Sequence, residues 1–289
     1  MHIIFELNRE LSLYYLFFHL LAVLLGFFIL SKKSKLFIFE IYALLFLLIF
    51  GYSRILYPFF SPDHKISTES NLSKFKLVYG RLSEDENQNL WLYDATYDQN
   101  PELIALSGSV NQVSKRLLDK NHFPFFIVQT GKDGSGVALY SKNEFFQDLE
   151  LDFGERVLVV NSQRNGSENL KIILMNIQIS WDQDETYEKK ITLKRMASYF
   201  RQHQENVILL GNFGTTPFTW DYQQFQNEGQ FSDASYGFGL NLNFKKLFST
   251  EISLLDHLLY AGQLSVIDYK NVTDRKSQEE GVVVTFGVK

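Results

Sequence analysis

The sequence predicts an α/β domain of two packed β-sheets with flanking helices, preceded by a transmembrane hairpin of two helices. Short strand-like runs alternate with a few helical patterns over the larger part of the chain, and many strands with few helices favour packed sheets. Two long apolar runs come first, which is typical of membrane-spanning helices. The 289 residues therefore divide into a hairpin at residues 1–56, a linker at residues 57–73 and a domain at residues 74–289.

The composition supports a large core and excludes several kinds of site. Hydrophobic residues make up 45% of the chain and phenylalanine occurs 27 times, which suffices to fill the space between two sheets. Cysteine is absent, so disulfides, thiolate metal sites and a cysteine nucleophile are excluded. The net charge of −5 argues against a general nucleic-acid binder, because phosphate backbones are bound by an excess of Lys and Arg.

The two apolar runs have the length and composition of membrane spans. The first, residues 11–30, contains no Asp, Glu, Lys or Arg, and at about 1.5 Å per residue it spans a bilayer core of roughly 30 Å. The second, residues 36–55, carries one acid, Glu40. The short segment Ser31–Lys35, SKKSK, separates them. We therefore expect a hairpin that contacts the lipid bilayer through residues 11–30 and 36–55.

The lysines in the turn of the hairpin indicate its orientation. Positively charged loops stay in the cytoplasm, so the domain that follows is expected on the extracytoplasmic side. A cleaved signal peptide fits less well, because the run is too long and no small-residue cleavage site precedes Ser31. Two ionisable residues, His19 and Glu40, fall within the spans. Either Glu40 lies near the interface and His19 is neutral, or one of them bonds to a helix of another subunit.

The region after the linker is rich in predicted strands. The strand-like runs are Lys76–Leu82, Leu90–Tyr93, Leu103–Leu106, Phe125–Gln129, Gly136–Ser141, Arg156–Val160, Lys171–Ile179, Asn206–Leu210, Asp256–Tyr260 and Val282–Phe286. The helical patterns are Val110–Asp119, Glu185–His203 and Trp220–Glu228. This arrangement predicts two sheets with helices on their outer faces.

Five strings in the domain carry a resemblance to a known family. Residues 207–218 read VILLGNFGTTPF, residues 231–239 read FSDASYGFG and residues 255–260 read LDHLLY. Upstream, residues 100–106 read NPELIAL and residues 134–141 read GSGVALYS. In this order and at these separations they resemble motifs of the endonuclease/exonuclease/phosphatase family, including its membrane-anchored bacterial members.

The resemblance covers essentially all of residues 74–289 and implies a four-layer αββα sandwich of two mixed sheets. It also implies hydrolysis of phosphodiesters or phosphomonoesters with Mg²⁺, with a histidine base held by an aspartate. Because the similar members with helices before the domain are bacterial, the expected location is a bacterial inner (cytoplasmic) membrane, crossed twice, with the domain outside the cytoplasm.

The residues that the family's chemistry needs are mostly replaced in this chain. Gly108 stands where the family has the glutamate that binds the metal, and Gly80 stands where an early strand ends in an asparagine. Asn212 and Gly214 replace the aspartate and asparagine of the central turn. The family's C-terminal Ser-Asp-His, the source of the base, aligns with residues 277–279, Ser-Gln-Glu. The expected metal site and base are therefore both lost.

A remnant of the site persists. The segment Asn176–Ser180 lacks the histidine that the family has there, but Asp256 matches the aspartate that orients the base, and His257 follows it. We treat Asp256, His257, Asn212 and Glu279 as this remnant, with no residue assigned a catalytic role. Further acids that could rebuild a site are Glu280, Asp182 and Asp184. The alternative is that they are solvated loop charges, and that His257 is a hydrogen-bonded structural residue.

These observations leave three functions open. The first is a catalytically inactive, membrane-anchored binding or scaffolding subunit with a protein partner or an oligomeric state, with no cofactor and no nucleic acid. The alternative is a divergent metal-dependent phosphoesterase with a rebuilt site, for which Mg²⁺ is the cofactor. The third, which overlaps the first, is a subunit of a larger membrane complex assembled through the hairpin. The sequence leaves open whether the chain is an enzyme and favours an inactive one.

Overall fold

A computed structural model describes residues 50, 53, 57–61, 72–85, 89–110, 122–131, 134–153, 157–164, 168–176, 183–203, 205–217, 219–239, 256–273 and 280–288. Within these residues no helix is both long and apolar enough to cross a membrane. Both predicted spans lie outside the described part of the chain except for Phe50 and Ser53. The hairpin therefore stays a prediction.

The described residues form two six-stranded sheets. The first contains β1 (Ser73–Leu82), β2 (Leu103–Gly108), β3 (Phe125–Thr130), β4 (Gly136–Ser141), β11 (Leu264–Thr273) and β12 (Glu280–Val288). The second contains β5 (Phe145–Gln147), β6 (Val157–Arg164), β7 (Glu168–Asn176), β8 (Val207–Asn212), β9 (Ser232–Asp233) and β10 (Asp256–Ala261). Their orders are β11-β12-β1-β2-β4-β3 and β5-β6-β7-β8-β10-β9. In each sheet one central pair, β1/β2 or β7/β8, is parallel.

The sheets pack face to face over a shared apolar layer. Alternate residues of each strand point into this layer, for example Leu77 of β1, Leu139 of β4 and Leu210 of β8, all fully buried. The opposite faces of the sheets are also buried, so the central strands read as continuous apolar runs such as Val207–Leu210. The predicted α/β sandwich is therefore confirmed.

Three helices cover the outer faces in the described residues. Helix α1 (Leu90–Gln99) packs on the first sheet, while α2 (Gln183–His203) and α3 (Trp220–Gly229) pack on the second. The buried residues of α2 recur at the spacing of one helix face: Leu193, Met196, Ala197 and Phe200. The helical predictions at 185–203 and 220–228 are confirmed, whereas 111–119 lies outside the described residues.

The start of α3 has a clear local cause. The Thr219 side chain caps the helix by accepting a hydrogen bond from the Tyr222 backbone N–H at 3.2 Å, and Asp221 places a negative charge in the first turn. Thr215 bonds to the same Thr219 hydroxyl at 2.6 Å. The chain between β8 and α3 is thereby held in one conformation.

The predicted strand at Leu90–Tyr93 is wrong, because these residues begin α1. A four-residue apolar run has too little length to separate a strand from a buried helix turn. The burial pattern decides the matter: Trp91, Leu92 and Ala95 are buried, which is helical spacing. Strand β11 is absent from the prediction for another reason: a register shift between Val266 and Asp268 interrupts the alternation that identifies a strand.

Candidate functional site

Three polar residues lie side by side on the second sheet where β7 and β8 end. Asn176 pairs with Asn212 across β7 and β8, and Asn212 pairs with Asp256 across β8 and β10. Each lies two positions from an inward-facing leucine of its strand (Leu174, Leu210 and Leu258), so all three side chains face the layer between the sheets. Carboxyl ends of parallel strands are a usual place for ligand sites in α/β folds.

The first sheet contributes Tyr79 and Ser107 to the same place. The Tyr79 hydroxyl lies 3.0 Å from the Ser107 hydroxyl oxygen, and the Asp256 carboxylate is close enough to act on it electrostatically. Burial raises the pKa of Tyr79 well above its ordinary value of 10.0, and the negative charge of Asp256 raises it further. Tyr79 is therefore neutral at physiological pH and cannot serve as a base. Tyr79 brings the first sheet next to Asp256 of the second sheet.

Gly108 ends β2 in a conformation that side chains rarely adopt. Its φ is +89°, and a Cβ added there would lie 2.5 Å from the Leu82 carbonyl oxygen. A non-glycine residue at this position meets both left-handed backbone strain and a clash with backbone. The backbone at the position where the resemblance implies a metal-binding glutamate therefore disfavours any side chain.

Asn212 is committed to the turn that follows β8. Its side-chain oxygen accepts a hydrogen bond from the Gly214 backbone N–H at 2.7 Å. Asn212 is 2% exposed. The Gly214 carbonyl in turn accepts a hydrogen bond from the Lys189 ammonium group of α2 at 3.0 Å. These bonds fix the turn in the same way that Asx turns do. Asn212 is a structural residue here rather than a carboxylate that could position water.

His257 follows Asp256 in the sequence but points to the opposite face of the sheet. Its ring packs against Phe213 and Tyr222, with centroid distances of 5.3 and 4.3 Å. The Nε2–H donates to the Thr215 carbonyl oxygen at 2.6 Å. The residue is 6% exposed. His257 therefore holds the β8–α3 connection, and the interpretation of a hydrogen-bonded structural histidine fits this geometry.

We expect the domain to lose stability as the pH falls below about 6.5. Burial lowers the pKa of His257 below its ordinary value. The hydrogen bond to Thr215 and the negative charges of Asp233 and Asp256 raise the pKa and offset part of this decrease. The unfolded state then binds more protons than the folded state, so the free energy of unfolding decreases by up to about 1.4 kcal/mol per pH unit. Urea denaturation of the full chain at pH 7, 6 and 5 measures this.

Two variants separate His257 from the other histidines. His257→Phe should flatten the pH dependence, because the titrating group is gone. His203→Phe changes an exposed histidine at the end of α2 and should leave the slope as it was. An unchanged slope in His257→Phe would show that this ring is not the source.

Solved structures share this architecture. The endonuclease/exonuclease/phosphatase from Bacteroides vulgatus is 11% identical and gives a TM-score of 0.57 over 75% of this chain and 100% of that chain. A family protein from Bacteroides thetaiotaomicron is 13% identical, with a TM-score of 0.53 over 76% and 99%. The human Nocturnin catalytic domain with bound sulfate is 12% identical, with a TM-score of 0.53 over 75% and 95%. No family model and no curated protein matches the sequence.

The domain has the endonuclease/exonuclease/phosphatase fold. The resemblance stated from the five strings is confirmed at the level of architecture. Identities of 11 to 13% carry the fold alone, since one fold hosts many functions.

The resemblance to the endonuclease/exonuclease/phosphatase family implies Mg²⁺ at this site. A hard cation needs several oxygen ligands, carboxylates above all, and the described residues contain no cluster of three or more His, Cys, Asp or Glu arranged to hold a metal. Asp256 is the one carboxylate that the described residues place at the candidate site, beside two amides and two hydroxyls. Glu279 and Asp182 lie outside the described residues, as do the side chains of Asp184 and Glu280.

The structure thus divides the predicted remnant site. It brings Asn212 and Asp256 together, places His257 on the other face of β10 and leaves Glu279 outside the described residues. Sequence reasoning missed Tyr79 and Ser107 as site residues. The alternation of Phe75, Leu77 and Tyr79 along β1 indicates that Tyr79 points inward. The residues that it meets are distant in the sequence and could not be predicted from this pattern.

Proposed function

We propose that this chain is a catalytically inactive protein of the endonuclease/exonuclease/phosphatase fold that acts as a membrane-anchored binding or scaffolding subunit. The observation that supports it best is the backbone of Gly108. A carboxylate at this position would require the end of β2 to move, because a Cβ would lie 2.5 Å from the Leu82 carbonyl. Simple substitution therefore does not rebuild the site.

The other replacements support the same proposal. Asn212 is neutral and holds a turn, while Asp256 lies near the hydrogen-bonded pair Tyr79 and Ser107 of the facing sheet. A neutral amide and two hydroxyls therefore surround the one carboxylate that the described residues place here. Loss of a metal carboxylate and of a general base each removes several kcal/mol of transition-state stabilisation, so their joint loss leaves no efficient hydrolysis.

The segment just before the domain supports a fixed position close to the membrane. Phe59 is 4% exposed and packs edge-on against Tyr236, with ring centroids 5.0 Å apart. The Gly237 and Gly239 backbone N–H groups donate to the carbonyls of Pro58 and Phe59 at 3.0 and 2.7 Å. A span ending near residue 55 would then connect to the domain without slack. In this proposal the domain lies on the extracytoplasmic side of a bacterial inner membrane.

Exposed aromatic residues next to this contact fit a membrane surface. Tyr57 and Phe60 are 62% and 63% exposed, directly after the predicted second span. Tyrosine is enriched at membrane–water interfaces because its ring is apolar and its hydroxyl forms hydrogen bonds with water. Alkaline extraction of isolated membranes tests the anchor: the full chain should stay in the pellet, and release into the supernatant would contradict it.

We expect Mg²⁺ and Mn²⁺ at millimolar concentration to leave the thermal unfolding midpoint of the full-length protein unchanged. A ligand that binds only the folded state must raise that midpoint, and the described residues of the candidate site offer a metal one carboxylate, Asp256. Phosphodiester and phosphomonoester substrates should likewise remain intact with either metal. The measurement is a thermal melt across a metal titration, with a chelator-treated sample as the reference.

The opposite result would identify the alternative function. A clear rise of the midpoint that is lost in Asp256→Ala or Glu279→Ala, together with metal-dependent hydrolysis, means a divergent phosphoesterase with a rebuilt site. His122→Ala, on an exposed residue, is the matched control and should keep the rise. If the protein is inactive, its partner must be found. The size of the full chain in mild detergent distinguishes a monomer from an assembly.

A further inference from the structure

A second polar site lies at the other end of the second sheet. Phe146, Asn161 and Lys171 are successive cross-strand neighbours on β5, β6 and β7, and Gln163 pairs with Asn169 one row away. These residues sit near the start of β7, whereas Asn176 of the candidate site ends the same strand. The two sites therefore occupy opposite ends of the sheet.

Two side chains on the outer face of the sheet are exposed at this end. Helices α2 and α3 pack over Val159, Ile173 and Met175, but α2 ends at His203. Beyond that point the outward positions of β6 and β7 change from apolar to polar. Gln163 and Asn169 are exposed, while Asn161 is partly buried. The exposed amides are available to a ligand.

This end of the outer face forms a groove of about 380 Å³, here called the polar groove. Its lining includes Phe146, Asn161, Gln163, Asn169, Lys171 and Glu205. The volume is within the range of small-molecule sites, about 300 to 1,000 Å³. Its side chains combine one exposed aromatic ring, Phe146 at 57% exposure, with amides. An amide group both donates and accepts hydrogen bonds.

The positive charge of the polar groove is already neutralised. The Lys171 ammonium group lies 2.9 Å from Glu205 and 3.4 Å from Asp148 and donates to the Tyr199 hydroxyl at 3.2 Å. Asp148 also accepts a hydrogen bond from the Asn161 amide at 2.9 Å. One lysine faces two carboxylates, of which Glu205 lines the groove. The lysine charge is therefore compensated, and phosphate or another anion gains little attraction from it.

We propose that the polar groove binds a neutral saccharide. Sugar hydroxyls, which donate and accept like the amides, would pair with Gln163 and Asn169. The C–H face of a pyranose ring would pack on Phe146, whose π-face is weakly negative. Glu205, whose side chain is 35% exposed, offers a further acceptor. This binding is independent of whether the candidate site at Asp256 is active.

The test uses the full-length protein and three neutral disaccharides: maltose, cellobiose and N,N′-diacetylchitobiose. Saturation-transfer NMR at millimolar sugar should show binding of at least one of them. Phe146→Ser and Gln163→Leu change exposed side chains and should each weaken that sugar's affinity by about tenfold. Phe126→Ser changes a comparably exposed phenylalanine, 47% exposed, on β3 of the other sheet and should bind as the parent does.

Three outcomes would overturn the proposal. One is the absence of binding for all three sugars at millimolar concentration. Another is binding that survives both Phe146→Ser and Gln163→Leu, because the sugar then occupies a different place. The third is tighter binding of inorganic phosphate than of the sugars, because the carboxylates of Asp148 and Glu205 compensate the charge of Lys171.

Discussion

Replacing Trp91 by alanine is expected to lower the free energy of unfolding of this protein by about 4 kcal/mol. Trp91 is completely buried, and its indole lies against Gly80 and Gly281, which are direct partners across β1 and β12. A Cβ on either glycine would lie 2.1 Å from the ring. The two missing side chains form one slot, and the indole fills it. Urea denaturation followed by circular dichroism measures the loss.

A control on the same helix distinguishes the slot from helix propensity. Tyr93→Ala changes an aromatic residue of α1 that is 44% exposed and should cost less than about 1 kcal/mol. Gly80→Val should be nearly as harmful as Trp91→Ala, because the new side chain would expel the ring. Equal effects of Trp91→Ala and Tyr93→Ala would contradict the slot.

Replacing Lys171 by methionine is expected to cost about 3 kcal/mol of unfolding free energy. Lys171 is a buried cation on β7, with a side chain that is 8% exposed, and it is paired with Asp148 and Glu205. Methionine keeps the length of the side chain and its packing against the Tyr199 ring, which lies 5.1 Å from the ammonium nitrogen. The change leaves two carboxylates close together without their cation. Chemical denaturation at neutral pH measures it.

Two further variants test the electrostatic origin of this loss. Lys270→Met removes a lysine that is also paired with an aspartate, Asp268, but is 63% exposed; it should be nearly neutral, as exposed ion pairs are. Asp148→Asn combined with Lys171→Met should recover part of the stability, because one carboxylate is removed from the pair. If the double variant is no more stable than Lys171→Met, lost packing rather than charge is the cause.

The sequence by itself determined the sandwich and the replacement of the residues that the family's chemistry uses. Both depend on residue identity and on the two-residue period of strands, which can be read locally. The motif strings place Gly108, Asn212 and Asp256 at positions of the family's site. The replacements at Gly108 and Asn212 could therefore be recognised without coordinates. The same period places His257 and Asp256 on opposite faces of β10, because neighbours on a strand point to opposite faces, although the predicted remnant site grouped them. The short run at Leu90–Tyr93 failed because four apolar residues fit a strand and a helix equally.

Only the tertiary structure decided the rest. The contact of Gly108 with Leu82, the slot that Gly80 and Gly281 leave for Trp91, and the approach of Tyr79 to Asp256 all involve segments far apart in the chain. The polar groove likewise needs the register of β5, β6 and β7 and the end of α2. Register and helix length follow from packing of the whole domain, which no local pattern contains.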